Sequence, residues 1–168
     1  VGTYQRMYSA ASRLNPKDLD WSNLLQGCRY LHLSGITFGL AAHSGYQRNY
    51  LAECFDAAYQ ARPADCLVGI DFNYRSTLWP KDEALKTLLP VVSSKTDLLI
   101  ASIEDLESFF AIPIAELYGD EGKIDPFRLN EGGLREISTE VFRRFNISTL
   151  GLTKRYDLPD GSSVSHSF

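Results

Sequence analysis

Cysteine is scarce: Cys28, Cys54 and Cys66 are the only three in 168 residues. An odd count at wide spacing builds neither a disulfide framework nor a zinc-ligand set, and it suits a reduced, cytoplasmic compartment. An excess of basic charge is lacking too. The 17 Lys and Arg residues stand against 21 Asp and Glu, a formal charge of −4, which excludes the basic stripe of a general nucleic-acid binder. No apolar run approaches the roughly 18 to 20 residues that span a bilayer. The opening Val1-Gly2-Thr3-Tyr4-Gln5-Arg6 carries no apolar secretion-signal core. Neither nucleic acid nor membrane is therefore expected as a partner. Both glycine-rich phosphate fingerprints, the Walker loop and G-x-G-x-x-G, are missing, and the second absence weighs against a nicotinamide-binding protein. There is no internal repeat and no low-complexity stretch.

What is present is 44% hydrophobic and 23% charged, enough for one domain with a sizeable core. Short apolar runs alternate with helical patterns. Arg29 to Ser34 reads as a strand that stops at Gly35. Ser44 to Ala61 places Leu51, Phe55, Ala58 and Arg62 at helical spacing, with Ser44 and Gln47 suited to a capping box. Cys66 to Asp71 is a continuous apolar run with a polar end, as in a strand buried on both faces. Pro80 opens a helix that has Asp82 and Glu83 in its first turn and Leu85, Leu88 and Leu89 on one face. Asp97 to Ala101 is a third strand, followed by a helix from Ile103 to Phe110. Residues 111–132, rich in Gly, Pro and charge, read as an excursion. A helix from Leu134 to Phe145, a strand from Ile147 to Thr153, a turn at Asp157 to Gly161 and a hairpin partner from Val164 to Phe168 complete the series. Strands alternating with helices imply βαβ units and a doubly wound, mainly parallel α/β sheet.

In such sheets ligands sit beyond the carboxyl ends of the strands, which directs attention to Ser34–Thr37, Asp71–Arg75, Ala101–Asp105 and Thr153–Arg155. Asp71, Asn73 and Arg75 leave a strand at a spacing of two, so an extended chain would turn all three to one face. Arg75 there would clamp a carboxylate or phosphate bidentately. The plainer alternative is a turn-capping Asp71 and a surface Arg75. Ser102 and Asp105 make a helix capping box; an acidic group beside a metal and phosphates is the functional alternative, and the two are compatible. Thr153-Lys154-Arg155 suits phosphate contact or plain solvation. His32, inside a strand, is expected to be packed and hydrogen-bonded, and His43 and His166 have no partner at metal-ligand spacing. No cysteine has an adjacent base for thiol catalysis.

Together Arg6 to Ser12, Leu31 to Thr37, the Asp71-Phe72-Asn73-Tyr74-Arg75 string with Leu78-Trp79, and Asp97 to Asp105 resemble the ribokinase-like (PfkB) carbohydrate kinases, most closely 2-keto-3-deoxygluconate kinases. The resemblance is collinear over most of the chain. It implies a ribokinase-like sheet, incomplete at both ends, with residues 1–12 the returning segment of a β-lid and 13–168 a partial core. It implies ATP and Mg2+ as cofactors and a sugar acid as substrate. It places Tyr4, Arg6, Ile36, Asn73 and Arg75 toward the sugar acid, and Ser102, Asp105, Thr153 and Arg155 toward the nucleotide, with Asp105 toward the metal. Ser102 and Asp105 stand where the family has Asn-x-x-Glu, so both residues depart from its pattern.

A larger departure concerns the Gly-Ala-Gly-Asp string that supplies the family's anion hole and general base: it does not occur here. The start at Val1 and the strand-like Ser165-His166-Ser167-Phe168 read as cut ends. The expectation is a central portion of a kinase for 2-keto-3-deoxygluconate, inactive by itself. In the complete protein the resemblance implies a homodimer through the lid. Fructokinase or another PfkB sugar kinase is the alternative within the fold. A non-catalytic sugar-acid-binding protein is the alternative outside enzymology.

Overall fold

The computed structural model of the chain describes residues 9–43, 50–114, 131–158 and 160–167. The expected lid residues Tyr4 and Arg6, the Ser44–Gln47 box and positions 115–130 lie outside them, as do the side chains of His43 and His166. Two 3-10 turns, Ala11–Arg13 and Pro16–Asp18, lead into a single helical turn, α1 (Trp21–Leu24), capped by Asp20 through the Asn23 N–H at 3.2 Å. Then follow β1 (Tyr30–Ser34), α2 (Gly35–His43), α3 (Tyr50–Ala61), β2 (Leu67–Asp71), α4 (Lys81–Lys95), β3 (Leu98–Ser102) and α5 (Ile103–Phe110). The helix α6 (Glu131–Arg144) returns the chain to β4 (Thr149–Asp157) and β5 (Ser163–Ser167).

The five strands lie in the order β1-β2-β3-β4-β5. The first four are parallel, and β5 runs antiparallel to β4. This is the mainly parallel, helix-flanked sheet that the alternation of patterns implies.

Register explains the core. Leu31 pairs with Val68, Leu33 with Ile70, Ile70 with Leu99, and Ala101 with Leu152, so one face is apolar throughout. Against it pack Phe38 of α2, Phe55 of α3, Leu88 and Val92 of α4, Leu106 and Phe110 of α5, and Ile137 and Val141 of α6, as one cluster. Each such side chain, taken fully from water, contributes about 1.5–3 kcal/mol. Asp97 ties the amino ends together. Its carboxylate accepts from the Val68 N–H at 2.8 Å and its carbonyl accepts from the Ser148 N–H at 2.8 Å.

Four expectations change. The strand at Cys66–Asp71 is not covered evenly: Val68 and Ile70 are buried, Leu67 is 54% exposed, and Gly69 is roofed by the Tyr30 ring of the neighbouring strand. His32 is exposed rather than packed, stacked on Tyr30 with its Nδ1 3.2 Å from the phenol oxygen. The helix α2 adds an element between the strand ending at Ser34 and the next helical pattern, in a stretch whose two glycines and Thr37 have low helix propensity. Gly35 nevertheless starts it without a loop, since a Cβ there would lie 1.9 Å from the Phe72 carbonyl oxygen. Finally β4 continues past Thr153 to Asp157, because its last residues pair with β5 once β3 has ended. Among the described residues no helix is long and apolar enough to cross a membrane.

Candidate functional site

At the carboxyl ends of the parallel strands a cavity of about 380 Å³ is lined by Asp71, Asn73, Tyr74, Arg75, Ser102, Asp105 and Thr153. Register brings these residues to the same end of the sheet in two rows, Asp71 level with Ile100 and Ser102 two residues beyond it. Ser34 pairs with Asp71 across β1 and β2, and Ser102 with Thr153 across β3 and β4. Five residues expected from sequence, Asn73, Arg75, Ser102, Asp105 and Thr153, therefore meet around one space.

The segment after β2 reaches that space in irregular backbone and not by regular extended alternation. Asn73 sits in the left-handed region at φ +37°, where asparagine is better tolerated than most side chains. Its Nδ2 donates to the Ser34 hydroxyl at 3.1 Å, which fixes the carboxamide against β1. The Tyr74 hydroxyl donates to the Trp79 carbonyl at 3.1 Å, and its ring meets Phe109 edge-on at 4.7 Å. Tyr74 thus turns one side to the core and one to the cavity. Arg75 is exposed, with one guanidinium N–H on the Tyr74 carbonyl at 3.1 Å.

The other wall is the start of α5. Ser102 and Asp105 form the reciprocal capping box: the serine hydroxyl accepts from the Asp105 N–H at 3.0 Å, and the carboxylate accepts from the Ser102 N–H at 3.2 Å. The plain structural role is therefore real, and the same two side chains line the cavity. Burial pushes the Asp105 carboxyl above its ordinary pKa, with Glu104 and Asp71 adding to the rise against the two Ser102 bonds. Burial also raises Asp71, opposed by His32, Arg75 and the Asn73 backbone N–H. Two carboxylates facing one space, each raised, form the kind of surface that a cation relieves. Among the described residues no group of three or more His, Cys, Asp or Glu could hold a metal ion. The donor set here suits an ion that keeps waters and shares phosphate oxygens, as Mg2+ does with one or two carboxylates.

Two expected residues stand elsewhere. Ile36 packs against the core cluster from the first turn of α2 and does not line the cavity. Arg155 lies two residues beyond Thr153 on the extended β4, exposed and 3.4 Å from the Asp157 carboxylate. That step carries it roughly 7 Å further along the strand. Lys154 pairs with Glu104 of α5 instead. Tyr74 also lines the cavity; in the sequence only its place inside the Asp71–Arg75 stretch points to it. A second hollow of about 530 Å³, at Pro113, Arg135, Glu136, Thr139 and Glu140, lies away from the strand ends. Its Glu140 is already engaged, held down to about 2 by Arg143 and Arg144.

No family model matches the chain. Solved structures do, and those with this fold include carbohydrate kinases of the PfkB family. The chain is similar to 2-dehydro-3-deoxygluconokinase of Thermotoga maritima, with 29% identity and a TM-score of 0.71 over 99% of this chain and 49% of that one. A PfkB-family carbohydrate kinase of Listeria grayi gives 21% identity and a TM-score of 0.67, covering 99% and 48%. A proposed 2-keto-3-deoxygluconate kinase of Enterococcus faecalis gives 18% and 0.61, covering 92% and 41%. The chain thus has the ribokinase-like fold and spans about half the length of the structures it matches.

Proposed function

We propose that the chain is the central part of an ATP-dependent sugar kinase of the PfkB type, acting on a sugar acid such as 2-keto-3-deoxygluconate. The observation that carries the reading is the strand-end cavity, in which one arginine, two hydroxyls and two raised carboxylates converge. Likeness to the Thermotoga maritima kinase supports it. In this reading residues 1–12 are the returning lid segment, bearing Tyr4 and Arg6, and 13–168 are core. Cytoplasmic location and pairing of lids belong to the same proposal.

ATP would supply the transferred phosphoryl group, and Mg2+ would offset charge on its phosphates. Arg75 binds the anionic end of the substrate, for which its planar fork is suited. Asn73, anchored on Ser34, holds the backbone from which Arg75 projects. Ser102 and Thr153 offer hydroxyl donors to phosphate oxygens, and Asp71 and Asp105 are the carboxylates that would face the metal. Ile36 and Arg155, outside the cavity, would act only at its approaches. Phosphoryl transfer depends mainly on positioning and charge stabilisation. The anion hole and base of the Gly-Ala-Gly-Asp string are not in this sequence, so we expect no turnover from the 168 residues by themselves.

An ADP-release assay tests this on the chain and on the full open reading frame that encodes it, with 2-keto-3-deoxygluconate and fructose as acceptors. Turnover of the acid by the longer protein alone is expected. Preference for fructose would favour the fructokinase alternative. Tight binding of the acid with no turnover from either protein would favour a sugar-acid-binding protein.

A further inference from the structure

Two of the three cysteines, far apart in sequence, meet in space. Cys28 and Cys66 are 38 positions apart, yet their sulfurs are 3.7 Å from one another. Each lies in irregular backbone just before a strand, Cys28 ahead of β1 and Cys66 ahead of β2. The parallel pairing of those strands, with Tyr30 opposite Leu67, brings the two segments alongside one residue out of step, and in the irregular backbone ahead of the strands the two sulfurs meet. Both thiols are free. They stand at the amino ends of the strands, opposite the cavity.

The two thiols differ in access. Cys28 is half-buried and can be reached from solvent, whereas Cys66 is only 4% exposed. Arg62 brings positive charge to bear on Cys66, and its buried Nε has no partner among the described residues. Burial, the hydrogen bond and charge of Cys28, and Asp65 push the Cys66 thiol up against Arg62, so Cys66 suits the second step, attack on an already oxidised partner held 3.7 Å away. Closing the gap to the roughly 2.05 Å of a disulfide asks for side-chain rotation and small shifts in two segments outside the ladder. Gly27, at φ +72°, lies next to one of them.

We infer that Cys28 and Cys66 are an oxidative modification site, forming a reversible disulfide when the protein meets a peroxide such as hydrogen peroxide. The Cys28 sulfur attacks one peroxide oxygen and the O–O bond breaks. The departing hydroxide takes up the thiol proton as water, and a sulfenic acid remains on Cys28. The Cys66 sulfur then attacks the Cys28 sulfur, the S–O bond breaks, and a second water leaves with the Cys66 proton. Two electrons pass from the sulfurs to the peroxide, and a thiol reductant reverses the change.

The test is brief exposure of the whole chain to hydrogen peroxide, acid quenching, thiol counting and peptide mapping by mass. The expected result is a fall from three free thiols to one, a mass loss of about 2 Da from the two lost hydrogens, and a crosslinked peptide pair containing Cys28 and Cys66. Cys54→Ser should behave the same way, because Cys54 points elsewhere, its sulfur 3.8 Å from the Leu14 carbonyl. Cys28→Ser should retain a titratable Cys66. Sulfinic or sulfonic acid on Cys28 beside a free Cys66 would overturn the inference, as would a bridge that recruits Cys54. The wild-type map decides the matter even if a variant folds poorly.

Discussion

Asn73 concentrates the physics of the site in one residue. A left-handed backbone costs most side chains about 1–2 kcal/mol, and Asn73 accepts it at φ +37° while its carboxamide bonds Ser34. Replacing it with Ala keeps the strain and loses the bond, so Asn73→Ala should lower unfolding free energy by about 2 kcal/mol. Asn73→Gly should lose less, and chemical denaturation distinguishes them. Arg75 is exposed and makes little of the fold, so Arg75→Ala should leave stability within about 0.5 kcal/mol. In the longer protein it should raise KM for the sugar acid by about 10- to 100-fold, the worth of one charge-assisted contact; an unchanged KM would remove Arg75 from the site. Asp105 carries a pH signature. Its pKa is raised in the folded chain above the ordinary 3.8, so folding takes up a proton. The stabilisation is complete below that ordinary value and disappears as pH rises through the elevated one. Asp105→Asn should flatten the pH dependence of stability in that window. It should cost little at pH 7, because an amide oxygen can still accept from the Ser102 N–H.

Among the elements, helix starts and glycines carry the sharpest expectations. The sequence spelled out α5 fully, since Ser102 and Asp105 form a cap that depends on four consecutive residues. It left α2 unread, because what permits that helix is a backbone contact with residue 72 and not local propensity. A Cβ on Gly35 would sit 1.9 Å from the Phe72 carbonyl oxygen, whose backbone is held by the Phe72 N–H bond to Ile100 at 2.8 Å. Gly35→Ala should therefore cost about 3 kcal/mol or more. Gly69 is as crowded on paper, with the Tyr30 hydroxyl 2.0 Å from an added Cβ. That oxygen ends a side chain 44% exposed, which can swing away. Gly69→Ala should cost only about 1 kcal/mol, and thermal melts of both variants check the contrast.

At the scale of the whole molecule, a ligand that binds only the folded chain stabilises it by mass action. The sugar acid at a hundred times its Kd should add about 2.7 kcal/mol, or about 5 to 10 °C in melting temperature for a chain of this size. Fructose at the same concentration should shift it far less, and no shift with either sugar would detach the cavity from sugar binding. The amino-acid sequence by itself determined the order of the strands and of the helices after α2, because apolar periodicity and capping residues act over a few positions. It also determined that polar side chains gather where strands end. Tertiary structure alone decided which of them share a cavity. Strand register put Thr153 beside Ser102 and carried Arg155 past them, and the left-handed backbone at Asn73 interrupted the extended geometry that spacing suggested. The pairing of β1 with β2 also brought the segments of Cys28 and Cys66 together, a contact that a separation of 38 positions conceals from any local reading. Convergence is a property of crossovers and pairing, and those are set by burying one shared apolar face.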